Sequence, residues 1–270
     1  MSDAESSRVS AHPAVVVRRD GPVACVTLAR PERANALDAE ITDALLEAIL
    51  GLRNDADVRA MVVTGQGSAF SAGGDIAAIR AMRDDRRLRE RVLAAHQDLF
   101  WVMARLPFPT VAAVNGAAVG AGVTVALLCD LVVMADDAFF SDPRVSLGLL
   151  DGAGGLVLWP LLTSLSAAKE HLLLGDRVSG TEAHRLGLAN RAVPASGVLE
   201  EALALAGRLA ALPPQAVREA RRLLNSHLDR AAVILADCAR AESDCFDTEE
   251  QKVQLEQLSA RVAAKTGGTT

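Results

Sequence analysis

The stretch VNGAAVGAGVTVALLCD, residues 114–130, sits inside a run from Leu106 to Cys129 that holds no charged residue. Such a run could be a membrane span, a phosphate-binding loop or part of an active site. It meets the length of about 20 residues that a transmembrane helix needs, and Gly116 and Gly120 form a GxxxG pair. Against a span, Pro107 and Pro109 open the run, Asn115-Gly116 is a turn dipeptide, and Gly120, Ala121 and Gly122 add three more small residues. No aromatic belt or basic flank follows Asp130. A phosphate loop fails as well: GAAVGAG is not GxGxxG, and no Lys-Ser/Thr follows it as in a Walker loop. The stretch and its flanks therefore read as strand (110–114), loop (115–122), buried helix (123–129) and strand (131–135), an interior βαβ-like unit.

Working outward, AVVV and VACVTLA read as strands joined by a hairpin signal at Asp20-Gly21. Asp38 is a candidate N-cap for a helix over residues 39–54, whose Ile41, Leu45, Ile49 and Leu52 share one face. VRAMVVTG is a further strand. QGSAFSAGGD is a Gly/Ser loop that opens a short helix at Asp75, and residues 84–105 form a longer amphipathic helix. Beyond the opening stretch come the segment AFFSDPRVSLGLLDGAGG, helices through LVLWPLL, SAAKEHLLLG and GTEAHRLGL, and the strand ANRAV. From Gly197 the pattern is helical only. The expected organisation is an α/β fold: a disordered tail over residues 1–12, a core over 13–196 and a C-terminal helical region over 197–270.

Composition narrows the function. The formal net charge is −6, with 34 acidic against 28 basic side chains spread along the chain, which argues against a nucleic-acid partner. The acidic and polar N-terminus, MSDAESSRVSAHPA, lacks the basic start and apolar segment of a signal peptide. Cys25, Cys129, Cys238 and Cys245 show no CxxC pairing, which fits a reducing, cytoplasmic setting. AFSAG misses the nucleophile elbow GxSxG because Ala69 stands at its first glycine, and none of the histidines His12, His96, His171, His184 and His227 is singled out as its partner. No histidine or carboxylate cluster has metal-ligand spacing.

Two glycine-rich loops remain, FSAGGD and NGAAVGAG, each following a strand and opening a helix. Such loops let backbone N–H groups approach a ligand closely, and the helix N-terminus adds partial positive charge. Two of them facing one point would make an oxyanion hole. Either loop alone could equally serve tight helix packing.

The pieces RPERANALD, GQGSAFSAGGDI, PTVAAVNGAAVGAGVTVALLCDLVVMADDAFFSDP, LGLLDGAGG, LLLGDRVSGTEAHRLGLANRAVP and FDTEE, in this order, resemble the enoyl-CoA hydratase/isomerase (crotonase) superfamily over nearly the whole chain. The resemblance implies a spiral of ββα units with a C-terminal helical region that assembles trimers, often paired into hexamers. It implies an acyl-CoA thioester as substrate, with no cofactor beyond the coenzyme A that is part of it. It assigns the oxyanion hole to the N–H groups of Gly74 and Ala121, and coenzyme A binding to Arg33, Ala34, Ala36, Ala72, Asp75 and Ile76. Fixed donors of this kind are worth about 10²- to 10³-fold each in rate.

The chain departs from that family where hydratases carry paired glutamates: those positions are Thr124 and Arg144. A threonine hydroxyl is no base near neutral pH and arginine holds its proton, so two-glutamate hydration is not expected. Asp151 matches a functional aspartate of the naphthoate synthase branch; it is either a general base or a helix N-cap before GAGG. Arg144 either pairs with Asp142 or Asp151, or binds a carboxylate on the acyl group, and Thr124 counts with it among substrate-binding positions. The C-terminal EQLSARVAAKTGG lacks the Phe and Lys-Arg-x-Pro pattern with which many relatives reach a neighbouring subunit's coenzyme A. The expected activity is enolate chemistry on an acyl-CoA, by isomerisation or decarboxylation more readily than hydration. The alternative is an acyl-CoA binder without catalysis.

Overall fold

The computed structural model describes residues 12–266. Among the described residues, ten strands form two sheets: β1 (Val15–Asp20), β2 (Val23–Leu28), β3 (Ala60–Gly65), β4 (Ala69–Ser71), β5 (Thr110–Val114), β6 (Ala117–Val119), β7 (Leu131–Ala135), β8 (Phe139–Ser141), β9 (Val178–Ser179) and β10 (Arg191–Val193). The larger sheet has the order β1-β2-β3-β5-β7-β10, antiparallel only at its β1–β2 hairpin. The smaller has the order β4-β6-β8-β9, with an antiparallel β8–β9 pair. From β3 to β8 successive strands alternate between the sheets, so each turn of the chain there lays one strand in each before it runs on to a helix.

The helices are α1 (Ala39–Arg53), α2 (Ile76–Asp84), α3 (Arg86–Ala104), α4 (Ala121–Leu127), α5 (Gly155–Leu162), α6 (Leu165–Leu174), α7 (Gly180–Leu186), α8 (Val198–Ala210), α9 (Pro214–Asp229), α10 (Ala232–Phe246) and α11 (Glu249–Thr266). Local sequence explains many of their starts. The Asp38 carboxylate accepts the Ile41 N–H at 3.0 Å and caps α1, which buries Ile41, Leu45, Ile49 and Leu52 as the periodicity expects. Asp85 caps α3 through Arg87 and Leu88, so the two helices expected after Asp75 divide there, with α2 running to Asp84 and α3 starting at Arg86.

Of the short strands that escaped the sequence reading, β4 and β6 lie inside the segments read as glycine-rich loops. They hold only three residues each, too few to show alternation. The tail expected over residues 1–12 lies outside the described residues except for His12, which bridges to Val15. Among the described residues, no helix is long and apolar enough to cross a membrane.

One large apolar cluster fills the space between and around the sheets, centred on β2, β3, β5, β7 and α4. Helix α8 follows the proposed boundary at 197 yet joins this cluster, burying Val198, Ala202, Leu205 and Ala206. A second, smaller cluster of Met82, Val92, Leu93, Leu149 and Phe246 gathers where α2, α3 and the end of α10 meet. Buried Arg221 of α9 is bound to Asp130 at 2.7 Å and donates to the carbonyls of Met103 and Leu106, tying the helical region to the end of α3.

Candidate active site

The two glycine-rich loops meet at one point. Gly73 has φ +73°, a left-handed conformation that disfavours side chains, and a Cβ there would stand 2.3 Å from the Val119 carbonyl oxygen and 3.5 Å from the Ala121 nitrogen. No other residue type lets the 72–74 and 119–121 segments approach so closely. On the second loop Gly120 has φ +51°; its N–H donates to the Ser141 carbonyl at 2.9 Å, and the next residue, Ala121, starts α4. The first N–H groups of a helix have no partner within it. Gly74 and Ala121 both line a cavity of ≈ 130 Å³, and so do Ala72, Val119, Arg144, His96, Glu242 and Phe246. The second apolar cluster supplies its wall through Met82, Val92, Leu149 and Phe246.

Outside this cavity lies an open groove of ≈ 800 Å³ that shares Ala72 and Gly74 with it. Arg33, Ala36, Asp75 and Ile76 line the groove, together with Arg80 and with Ser259 and Val262 of α11. Thus five of the six residues expected to hold coenzyme A, Arg33, Ala36, Ala72, Asp75 and Ile76, border one surface. Ala34 does not line the groove: it is left-handed at φ 48°, and its carbonyl accepts the Ala72 N–H at 2.8 Å. Asp75 caps α2 through Ala77 and Ala78 and pairs with Arg33. Partial burial opposes its charge, but these N–H groups and the guanidinium outweigh that and hold its carboxyl below the ordinary value.

Asn35 holds this loop in place, a role that the sequence reading missed. Its side chain accepts the Arg30 N–H at 2.9 Å and donates to the carbonyls of Gln66 and Ala69 at 2.9 and 2.8 Å, while the residue itself is left-handed at φ 54°. Asparagine suits this place, being tolerant of the left-handed region and able to donate and accept at once.

Deeper in, Arg144 is held by two carboxylates. Its Nε and one terminal nitrogen donate to Asp142 at 2.8 and 2.6 Å, and that terminal nitrogen reaches Asp151 at 2.7 Å. Burial works against its charge, but Asp142 and Asp151 more than offset this and raise its pKa further. Asp151 is buried and is absent from the cavity lining. One of its oxygens accepts the N–H groups of Ala153 and Gly154 at 2.8 and 3.1 Å; the other faces Arg144 and the Thr124 hydroxyl, 3.4 Å away. Burial raises its pKa against the pull of Arg144. Thr124 is likewise buried within α4 and lies off the cavity lining.

Besides Arg144 and the α1 cap Asp38, which pairs with Arg30, two ionisable groups line the cavity, and neither was singled out from the sequence. Glu242 of α10 is 6% exposed, and its Oε2 accepts the Gly152 N–H at 2.8 Å. Burial pushes its carboxyl up to about 8, against the pull of Arg144 and with the help of Asp151 and Asp142. The His96 ring, from α3, has a buried Nε2 without a hydrogen-bond partner. Burial and Arg144 lower its pKa to about 4, so it is a neutral imidazole at neutral pH. The sequence does carry a sign of Glu242: Leu235, Cys238, Glu242 and Phe246 form the buried stripe of α10, and a carboxylate on an apolar stripe is out of place unless it is paired or used. Among the described residues, no His/Cys/Asp/Glu group has the arrangement of a metal site.

Comparison with known proteins gives the family. A family model described as enoyl-CoA hydratase/isomerase matches residues 18–259. The short-chain-enoyl-CoA hydratase of Clostridium acetobutylicum is 31% identical over 240 residues, covering 88% of this chain and 91% of that protein. The crystal structure of an enoyl-CoA hydratase/isomerase from Mycobacterium paratuberculosis superposes with a TM-score of 0.87 at 38% identity, covering 91% of this chain and 98% of that one. That of a monofunctional enoyl CoA isomerase from M. smegmatis does so with a TM-score of 0.69 at 34% identity, covering 83% and 98%.

Proposed function

The chain belongs to the enoyl-CoA hydratase/isomerase, or crotonase, family of enzymes, and from that premise we propose that it rearranges an acyl-CoA thioester through an enolate held by the N–H groups of Gly74 and Ala121. The observation that carries this reading is the meeting of the two loops at Gly73, which puts both residues on one cavity that opens into a groove. Removing a proton next to a thioester carbonyl puts negative charge on its oxygen, and preorganised N–H donors stabilise that charge with little reorganisation. No prosthetic group is needed for this step. The thioester would enter with coenzyme A in the groove beside Arg33, Ala36, Asp75 and Ile76 and with its acyl group in the inner cavity. A cavity of about 150 Å³ accommodates benzene, so the ≈ 130 Å³ here suits an acyl group of a few carbons.

Isomerisation is the reaction best supported. Thr124 and Arg144 occupy the places of the hydratase glutamates, and Arg144 already has two carboxylate partners, which leaves it poorly placed to receive a third from a substrate. That disfavours the decarboxylase reading. Asp151 acts here by positioning Arg144 and capping the turn at residues 153–154.

Free cysteines fit a cytoplasmic setting. Exposed Leu161, Leu165, Leu173 and Leu174 on α5 and α6 offer apolar area for the trimer, or pair of trimers, that we expect in solution.

The test is Ala121→Pro. Ala121 is the first residue of α4, where proline keeps helical geometry; the N–H is lost and the ring Cδ takes the place of its hydrogen. Binding and turnover are measured over a panel of enoyl-, dienoyl- and malonyl-type CoA thioesters. The expected result is turnover of a β,γ-enoyl-CoA that falls about 10²- to 10³-fold in the variant, with binding largely kept. Tight binding of the panel without turnover by the wild type would favour the non-catalytic reading, and no binding at all would defeat both.

A further inference from the structure

We propose that Glu242 is the group that exchanges a proton with the enolate held at Gly74 and Ala121. This rests on the reading of the site given above and adds to it the acid/base residue that the hydratase positions do not supply.

Two carboxyl groups line the cavity, Asp38 and Glu242; Asp38 is taken up by Arg30 and by the cap of α1, whereas Asp142 and Asp151 are held by Arg144 and lie off the lining, which leaves Glu242. It is brought there by an unusually close fit: a Cβ on Gly152 would stand 2.2 Å from its Oε2, so the glycine makes room for the carboxyl and its N–H then holds one oxygen. The corner that carries Glu242 is fixed from several sides. Arg89 of α3 donates to both oxygens of Asp247, at 2.9 and 3.0 Å, and Arg83 of α2 donates to the carbonyls of Phe246 and Thr248. A general base needs such fixed placement and contact with the cavity.

The groups facing Glu242 are Arg144, Asp142 and Asp151 from the loops beneath it, with Cys238 and Cys245 on its own helix. Three carboxyl groups thus surround one guanidinium, so one of them is best kept protonated. Glu242, which makes no ion pair among the described residues, is that one. His96 lines the same cavity, but burial and Arg144 make it too weak a base for the task.

The step balances with one carboxyl. In the carboxylate form, Glu242 takes a proton from the α-carbon of a β,γ-enoyl-CoA; the C–H electron pair moves into the dienolate, and the charge rests on the thioester oxygen. The O–H bond of the resulting carboxyl then breaks as a C–H bond forms at the γ-carbon, the thioester carbonyl returns, and the carboxylate is restored. No oxidant, water or second acid is consumed.

The test follows α-deuterium uptake into 3-butenoyl-CoA in D₂O, alongside the near-ultraviolet enolate band of bound acetoacetyl-CoA, for wild type, Glu242→Gln and Glu242→Asp. The expected result is wild-type exchange that rises with pH about a midpoint near 8, the value that burial gives Glu242. Glu242→Gln, whose amide oxygen can still accept the Gly152 N–H, should lose exchange by about 10²-fold or more while keeping the enolate band. Glu242→Asp should retain part of the exchange and its pH inflection. If the band forms but the wild type does not exchange, or Glu242→Gln exchanges like the wild type, the assignment of Glu242 is overturned and the oxyanion site stands. If the wild type shows no band, the reading of the site and this proposal fail together.

Discussion

The cavity has two unlike halves. One is made of backbone: Gly74 and Ala121 sit on loops whose shape depends on glycines at 73 and 120, and their side chains contribute almost nothing. The other is made of side chains on helices: Phe246 and Glu242 from α10, Met82 from α2, and Val92 and His96 from α3. The first half depends on contacts between short segments with fixed backbone geometry. The second depends on one helix being laid against two others by Arg83 and Arg89. The backbone half should therefore fail all at once when its spacing is disturbed, and the helical half by degrees.

The sharpest way to break the backbone half is Gly73→Ala. The new methyl would stand 2.3 Å from the Val119 oxygen at a φ of +73°, so we expect a loss of about 3 kcal/mol in chemical denaturation. Turnover should fall more than that loss alone explains, because the two donors are forced apart.

In the helical half, Glu242→Gln should act on stability in a pH-dependent way. The Glu242 carboxyl is raised from 4.5 to about 8, so between these values the folded protein binds more protons than the unfolded chain. The stability this provides is complete below about pH 4.5 and is lost as pH rises through about 8. The amide has no such loss, so the melting temperature of the variant should gain on the wild type with rising pH. At about pH 9 the difference should be a few kcal/mol. Parallel curves for the two proteins would show that Glu242 ionises freely.

The smallest effect is expected from Thr124→Val, which keeps the shape and removes a single 3.4 Å contact to Asp151. Unfolding should change by less than about 1 kcal/mol. A large loss of turnover in this variant would mean that the threonine hydroxyl has a task beyond that contact.

The same division governs what the sequence made legible. Strands β3, β5 and β7 could be read because they are buried apolar runs, and α1 because Asp38 and a regular apolar face mark it. The two glycine-rich loops could be read because such turns leave a local signature, while Gly74 and Ala121 were proposed as donors on them through the family resemblance. β4 and β6 were hidden because three residues carry no period. Glu242 was hidden because its place depends on a contact with Gly152, 90 residues away. Its one local sign, a carboxylate within the apolar stripe of α10, gains meaning only when that stripe is known to face a cavity. Asp151 is a different case: its sequence position left open a general base or a helix cap, and its surroundings give it the cap contacts and an ion pair.

The central claim is that a thioester carbonyl sits between the N–H groups of Gly74 and Ala121, and the most direct measurement is the stretching frequency of that carbonyl. Isotope-edited vibrational difference spectra of carbonyl-labelled crotonyl-CoA should show it lowered on binding to the wild type, with most of the shift lost in Ala121→Pro. A carbonyl that binds with its solution frequency unchanged, or shifts equally in the variant, would contradict the account.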